Sequence, residues 1–239
     1  MGVVDWGLLA RVPIGQGGRA VPTATLEEYL EAIYKLAQHG PVRPTQVAES
    51  VGVSGPTVTA TLRRLEGHGL VVRDGTKVVL TEEGVKRSLD IVRRHRIAET
   101  FLVATLGLDW NAAHEEACIL EHALSPRVLG ALEIFLDNPL VCPHGHPIPA
   151  ADGSFVDVGG MPLCDVATGA SATVLAVAED DEKILGYLGD LGLRPGAQAK
   201  VVDVAPFQGP LTVEIDGMRT AIAREIAKLV TVDGVAAQA

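Results

Sequence analysis

The stretch from Val42 to Leu80 constrains the fold of this chain more than any other. It reads as a helix, a turn, a second helix and a hairpin. Thr45-Gln-Val-Ala-Glu-Ser-Val has helical character and is stopped by Gly52. Ser54 stands as an N-cap, with Gly55 and Pro56 in the first turn of the next helix. Val58, Leu62 and Leu65 recur at the spacing of one buried face, and Gly67 and Gly69 end the helix. Val71-Val-Arg and Lys77-Val-Val-Leu, joined across Asp74-Gly75, read as two short strands with a turn. A helix-turn-helix followed at once by a wing predicts a domain whose second helix enters the DNA major groove N-terminus first. Thr45, Ser54, Pro56, Thr57 and Thr59 are its candidate contacts to phosphates or base edges, and Arg63, Arg64, Arg73 and Lys77 supply positive charge. The other known use of such a unit is as a protein-interaction module.

An amphipathic helix precedes it. Thr25 followed by Glu28 has the form of a capping box, and Leu26, Leu30, Ile33 and Leu36 make the apolar stripe. Glu28 and Glu31 share one face, where a merely solvated surface is the alternative reading. From Thr81 a long helical pattern runs to about Leu106, with His95 and Glu99 four residues apart. Next comes His114-Glu-Glu-Ala-Cys-Ile-Leu-Glu-His122. In a helix, His114, Cys118, Glu121 and His122 fall within a single arc of ~100°. A thiol, a carboxylate and two imidazoles on one stripe form a partial ligand set for a first-row transition metal. Ser125-Pro126 opens a further helix, with Val128, Leu129, Leu132 and Phe135 apolar. Few charges interrupt these stripes, so they are expected to bury a C2 dimer contact as well as a core.

Asn138 to Pro149 is a proline-rich loop in which Cys142, His144 and His146 alternate, on one side if the segment is extended. Residues 150–162 read as a Gly/Asp-rich linker. Over 163–234, short Val/Ala-rich runs at Ala172–Val177, Ala199–Val204 and Leu211–Ile215 alternate with Gly/Pro turns. A helix is expected at Glu182 to Leu191 and another at Ala221 to Lys228. This pattern suggests a small SH3-like β-barrel.

Composition narrows the function classes. No apolar run reaches the ~18 residues of a membrane helix. Residues 1–23 lack the basic leader and apolar core of a signal peptide and read as a flexible extension. Three cysteines exclude a full disulfide framework and fit a reducing cytoplasm with thiols free for metal. The net charge of −10 falls mostly after residue 150, leaving a near-neutral N-terminal half that can carry a DNA-facing surface. No nucleotide loop, nucleophile elbow or paired catalytic acids occur, so no enzyme and no small organic substrate is expected.

Together, Glu27-Glu-Tyr-Leu-Glu-Ala-Ile-Tyr, Ser54-Gly-Pro-Thr-Val-Thr, Arg94-His-Arg-Ile-Ala-Glu, His114–His122 and Pro143-His-Gly-His-Pro-Ile-Pro closely resemble the diphtheria-toxin-repressor-like, metal-dependent transcriptional regulators. The resemblance covers residues 25–232. It implies a mainly α fold with a small β part: a winged helix-turn-helix (24–83), a helical metal-binding and dimerisation domain (84–149) and an SH3-like domain (163–234). By position it implies a metal site of Glu28, Glu31, His95, Cys118, Glu121 and His122. It also implies a second site of Glu99, Cys142 and His144, with His114 ancillary and an acid from the run Glu179-Asp-Asp-Glu182, Asp181 first among them, completing it.

Two features of that set pull apart. The iron-sensing branch carries Met at the position of Glu28, whereas the manganese-sensing branch is acidic there and at Glu31. Cys118 resembles the iron branch. Mn(II) prefers hard oxygen and imidazole donors, and three carboxylates outnumber one thiolate, which favours Mn(II) over Fe(II). The expectation is a cytoplasmic homodimer that represses metal-uptake genes from palindromic operators when loaded with Mn(II). The rivals are an Fe(II)-dependent repressor, a DNA-binding protein with a purely structural metal, and a metalloenzyme.

Overall fold

Helix α1 (Leu26–Ala37) turns Tyr29, Leu30 and Ile33 inward, and these meet Val47 of α2 (Pro44–Val51) and Val58, Leu62 and Leu65 of α3 (Gly55–Gly67) in one core. The computed structural model describes residues 26–156, 158–179 and 181–233, with the side chain of Glu182 outside that description. The extension expected over 1–23 and the Thr25 cap lie outside the described residues. Pro44 opens α2, and Gly52, at φ +70°, closes it in the left-handed region that favours glycine. Ser54 occupies the N-cap of α3 as expected, but its Oγ lies 2.9 Å from Thr57 Oγ1 instead of capping a backbone N–H. The strands β1 (Val71–Asp74) and β2 (Lys77–Leu80) pair antiparallel, Asp74 opposite Lys77, so the tight turn is Gly75-Thr76, one residue later than the expected Asp74-Gly75.

Helix α4 (Glu82–Ala104) is the spine shared by the first two domains. Thr81 caps it by accepting the Gly84 N–H at 3.0 Å. A Cβ on Gly84 would sit 2.0 Å from the Leu70 carbonyl oxygen, so only glycine lets the helix start this close to the wing. Ile91 packs into the N-terminal core, whereas Ile97, Ala98 and Leu102 join two further clusters with α5 (Trp110–Leu120) and α6 (Pro126–Phe135). Ser125 caps α6 through the Val128 N–H.

The C-terminal domain is a six-stranded antiparallel sheet in the order β3-β8-β4-β5-β6-β7. Its strands are β3 (Met161–Pro162), β4 (Ser171–Val177), β5 (Gln198–Val204), β6 (Leu211–Ile215), β7 (Met218–Ile222) and β8 (Val230–Val232). Helix α7 (Glu182–Asp190) is inserted between β4 and β5, and α8 (Arg224–Ala227) between β7 and β8. Met161 and Pro162, expected in the linker, pair with Thr231 and Val232 and so belong to the sheet. The helix expected from Ala221 is shorter, because Ala221 and Ile222 finish β7 by pairing with Thr212 and Leu211. Leu163, Leu185, Leu188, Leu193 and Leu211 are fully buried, each worth about 1.5–3 kcal/mol relative to exposure. Trp110 of α5 completes this core, its indole Nε1 donating to the Pro143 carbonyl and the Arg194 guanidinium 4.9 Å above its ring. The C-terminal domain is therefore docked on the helical domain through α5. Among the described residues no helix is long and apolar enough to cross a membrane.

Candidate metal centre

His95 and Glu99, one turn apart on α4, are buried at the meeting point of α1, α5 and the 138–149 loop. On one side lies a cleft of about 300 Å³, lined by Glu28 and Glu31 from α1, Ser50 and Val51 from α2, and His114, Cys118, Glu121 and His122 from α5 and the turn after it. Donor atoms of Glu31, His95 and Glu121 all lie within 4.8 Å of one another, as do those of His95, His114 and Cys118. His95 Nδ1 is 2.8 Å from Glu121 Oε2, and Lys35 pairs with Glu31 at 3.2 Å. Helix α5 runs to Leu120; Glu121, its C-cap, keeps helical geometry and donates its N–H to the Ala117 carbonyl at 2.9 Å, and His122 follows in the turn. His122 Nδ1 lies 2.9 Å from Glu27 Oε2, and its Nε2 lies 3.3 Å from Glu121 Oε1.

The second cluster is fully buried. Glu99, Cys142, His144 and Glu179 each bring a donor atom within 4.8 Å of the others. The loop does not run extended here. It turns at Gly145, where φ is +88° and a Cβ would sit 1.9 Å from the Leu175 carbonyl oxygen. Only glycine lets the loop lie against β4, where Val177 N–H donates to the His144 carbonyl at 3.0 Å. His144 Nε2 faces the Trp110 carbonyl at 3.2 Å, which leaves Nδ1 toward Glu99 at 3.3 Å and Glu179 at 3.9 Å. His146 turns instead to the Val177 carbonyl at 2.8 Å.

Two expectations change. Asp181 is exposed and caps α7, accepting the N–H groups of Lys183 and Ile184; the acid that reaches the second cluster is Glu179, two residues earlier. β4 carries its chain inward as far as Val177, whereas Asp181 already belongs to the solvent-facing start of the next helix. His114, expected with the second site, lies with His95 and Cys118 and reaches that site through Glu99 at 2.9 Å and an edge-on ring contact with His144 at 6.3 Å.

Without a metal, the cluster holds its charge with protons. Burial pushes His114 down, but its bonds to Cys118 and Glu99 prevail and hold its pKa at about 9. Burial likewise opposes charging of His95, yet Glu99, Cys118 and Glu121 raise it well above the ordinary imidazole value. The Cys118 thiol resists ionisation through burial, but His114 and His95 bring it below its usual range. Burial pushes Glu121 up and the Glu31 charge adds to this. For Glu99 burial is outweighed by His95, His114 and His144, and its pKa falls well below the carboxylate range. Two imidazoliums thus stand where carboxylate, imidazole and thiolate donors converge. That donor set fits a first-row divalent cation, which would displace their protons on binding. The second cluster, two carboxylates with a thiol and an imidazole, fits one as well.

Sequence reasoning gave no role to Glu27, Arg94 or Arg96, and within the run Glu179–Glu182 it preferred Asp181 to Glu179. Arg94 bonds Glu27 and the Glu121 carbonyl, and Arg96 bonds Glu179 at 3.2 Å and the Pro147 carbonyl at 2.6 Å. The signals were present, in Glu27 beside Glu28 and in the run Arg93-Arg-His-Arg, but no spacing rule along the chain marks the residues that hold a ligand in place.

The expected DNA-contacting residues cluster on α2, α3 and the wing. Thr45, Ser54, Pro56, Thr57, Arg63, Arg64 and Lys77 are exposed. Thr59 is half-buried and its hydroxyl donates to the Gly55 carbonyl, and Arg73 is paired with Glu66 at 3.1 Å. On α6 and α4 an apolar groove is lined by Phe101, Val128, Ala131, Leu132 and Phe135, with Phe135 65% and the nearby Ile134 75% exposed.

Residues 23–79 match the family model described as iron dependent repressor, N-terminal DNA binding domain. Residues 81–150 match its metal binding and dimerisation domain, and 161–234 match the FeoA domain. The chain is 33% identical over 228 residues to the diphtheria toxin repressor of Corynebacterium efficiens, covering 88% of this chain and 96% of that one. It is 34% identical over 208 residues to the iron-dependent repressor IdeR of Mycobacterium tuberculosis, covering 81% and 89%. Among solved structures it is similar to a manganese-dependent transcriptional repressor in complex with manganese, with a TM-score of 0.81, 34% identity and coverage of 88% and 100%. It is also similar to ScaR with bound Cd2+, at a TM-score of 0.80, 31% identity and coverage of 89% and 100%.

Proposed function

The chain belongs to the iron-dependent repressor family of metal-dependent transcriptional repressors, and from that premise we propose that it is a Mn(II)-activated repressor that binds palindromic operator DNA as a homodimer. One observation carries the reading. Glu28 and Glu31 lie on α1 of the DNA-reading domain, and they face His95, Cys118 and Glu121 of the helical domain across one cleft. When bound there, a divalent cation neutralises the carboxylates and joins the two domains. The residues themselves do the rest. Glu31 and Glu121 repel each other while both are ionised, so closure of the cleft is opposed until that charge is offset. Closure fixes α1, and through the shared core fixes α3, relative to α4. The gain in DNA affinity cannot exceed the preference of the ligand for the closed arrangement.

The Phe101–Phe135 groove on the helical domain supplies an apolar face for a C2 dimer, which sets two α3 helices at the spacing of two major-groove half-sites. Glu28, Glu31 and Glu121 against the single thiol of Cys118 support Mn(II). Cys118 is also the observation that favours the second reading, an Fe(II)-dependent repressor. Glu99, Cys142, His144 and Glu179 would hold a second cation that ties the SH3-like domain to α4.

The test is fluorescence anisotropy of labelled palindromic DNA from the protein's own upstream region, at fixed salt, first in chelator and then with anaerobic Mn(II) or Fe(II). Binding that requires metal, at lower free Mn(II) than Fe(II), is expected. Tight binding in chelator would overturn the gated reading. Activation by Fe(II) at the lower concentration would transfer the assignment to iron.

A further inference from the structure

We infer that Glu27 is the positioning residue that presents His122 to the metal cleft, with Arg94 holding both in place; this rests on the metal-gated reading above. The side chain of His122 is about a quarter exposed and follows the C-cap of α5, so something beyond the helix must orient its ring. Glu27 does. Its Oε2 lies 2.9 Å from His122 Nδ1. An ionised carboxylate accepts hydrogen bonds and cannot donate them, so Nδ1 carries the proton. The ring is then oriented with Nε2 on the other side, 3.3 Å from Glu121 Oε1 at the cleft wall. A carboxylate bonded to the far nitrogen of a ligating imidazole selects the tautomer and aims the ring.

Arg94 makes the arrangement rigid. Arg94, 8% exposed overall, bonds Glu27 Oε1 through Nη2 at 3.1 Å and the Glu121 carbonyl through Nη1 at 2.7 Å. One cation thus grips α1 and the last turn of α5 together. Glu27 precedes Glu28 directly, so the turn of α1 that carries the acid at the cleft also carries the acid that orients the imidazole.

The experiment uses the full chain with Glu27→Gln, Glu27→Asp and Arg94→Met. Three quantities are read: Mn(II) affinity by EPR of free Mn(II), the His122 tautomer in metal-free protein by 15N NMR, and helicity by far-UV circular dichroism. Glu27→Gln is expected to weaken Mn(II) binding roughly 10–100-fold and to release the Nδ1–H tautomer, with helicity unchanged. Arg94→Met should act in the same direction, and Glu27→Asp should keep the tautomer and recover part of the affinity. Unchanged tautomer and Mn(II) affinity within threefold of the parent chain would overturn the inference. So would lost helicity or lower melting temperature in Glu27→Gln and Glu27→Asp alike with tautomer and affinity retained, since that is mere packing. If the parent chain itself binds no Mn(II), the failure belongs to the metal-gated reading and the NMR tautomer still tests Glu27.

Discussion

His95 Nε2 lies 2.9 Å from Glu99 Oε1, one turn along α4, and this pair is the wall between two donor clusters. The opposite nitrogen of His95 faces Glu121 in the open cleft, and the opposite oxygen of Glu99 faces His144 in the buried centre. A charge placed in either cluster acts on the other through two side chains held within one turn of one helix.

Glu121→Gln should abolish metal-dependent operator binding while leaving the fold intact. The amide keeps the shape of the side chain and a contact to His95, but removes one of the three cleft carboxylates. The loss of Mn(II) affinity should exceed the roughly 10–100-fold typical for an outer-shell partner. Isothermal titration of Mn(II), with circular dichroism as control, checks it; a metal response that survives would remove Glu121 from the site.

Glu179→Gln and Asp181→Ala should part company. The first removes a carboxylate from the buried centre, and Mn(II) bound per chain should fall from two to one by metal analysis after dialysis. The second removes only the N-cap of α7, with a cost of about 1 kcal/mol in thermal unfolding and no change in stoichiometry. The reverse pattern would restore Asp181 as the ligand.

The metal-free protein should lose stability as pH rises from about 6.5 toward 9. The folded-state pKa of His114 is raised to about 9, so its contribution is complete below the unfolded value of 6.5 and disappears through 9. It amounts to at most about 3 kcal/mol. At the acid end the signs reverse. Glu99 and Glu27 are depressed, so their contributions are complete above 4.5 and are lost as pH falls through their lowered folded values. Thermal melts in chelator from pH 4 to 9.5 should give a dome, and a flat alkaline limb would contradict the His114 assignment. Mn(II) affinity should rise over the same alkaline range, because the imidazoliums give up protons to bind it.

Phe135→Asp should dissociate the dimer. Phe135 is 65% exposed in the single chain and meets Phe101 edge-on at 6.3 Å. A carboxylate there should cost at least about 2 kcal/mol of association, some 30-fold, seen by sedimentation equilibrium. Mn(II) binding should persist, since the cleft lies elsewhere; an unaltered dimer would place the interface on another face.

What the sequence alone determined was local. The 3.6-residue recurrence of Val58, Leu62 and Leu65, the breaks at Gly52 and Gly69, and the alternation in the strands each depend on neighbours a few residues away, and the three-domain order followed from them. Spacing also marked His114, Cys118, Glu121 and His122 as donors on one helical arc, whereas Glu28, Glu31, His95 and the second set took their roles from the family resemblance. Only the tertiary structure decided which acids face those donors. Glu179 and Asp181 are two residues apart, yet one is buried at the end of β4 and the other is solvated at the start of α7. His122 follows Glu121 but is aimed by Glu27, 95 residues earlier. Such pairings depend on where helix ends and strand ends come to rest against one another, and no spacing rule along the chain encodes that.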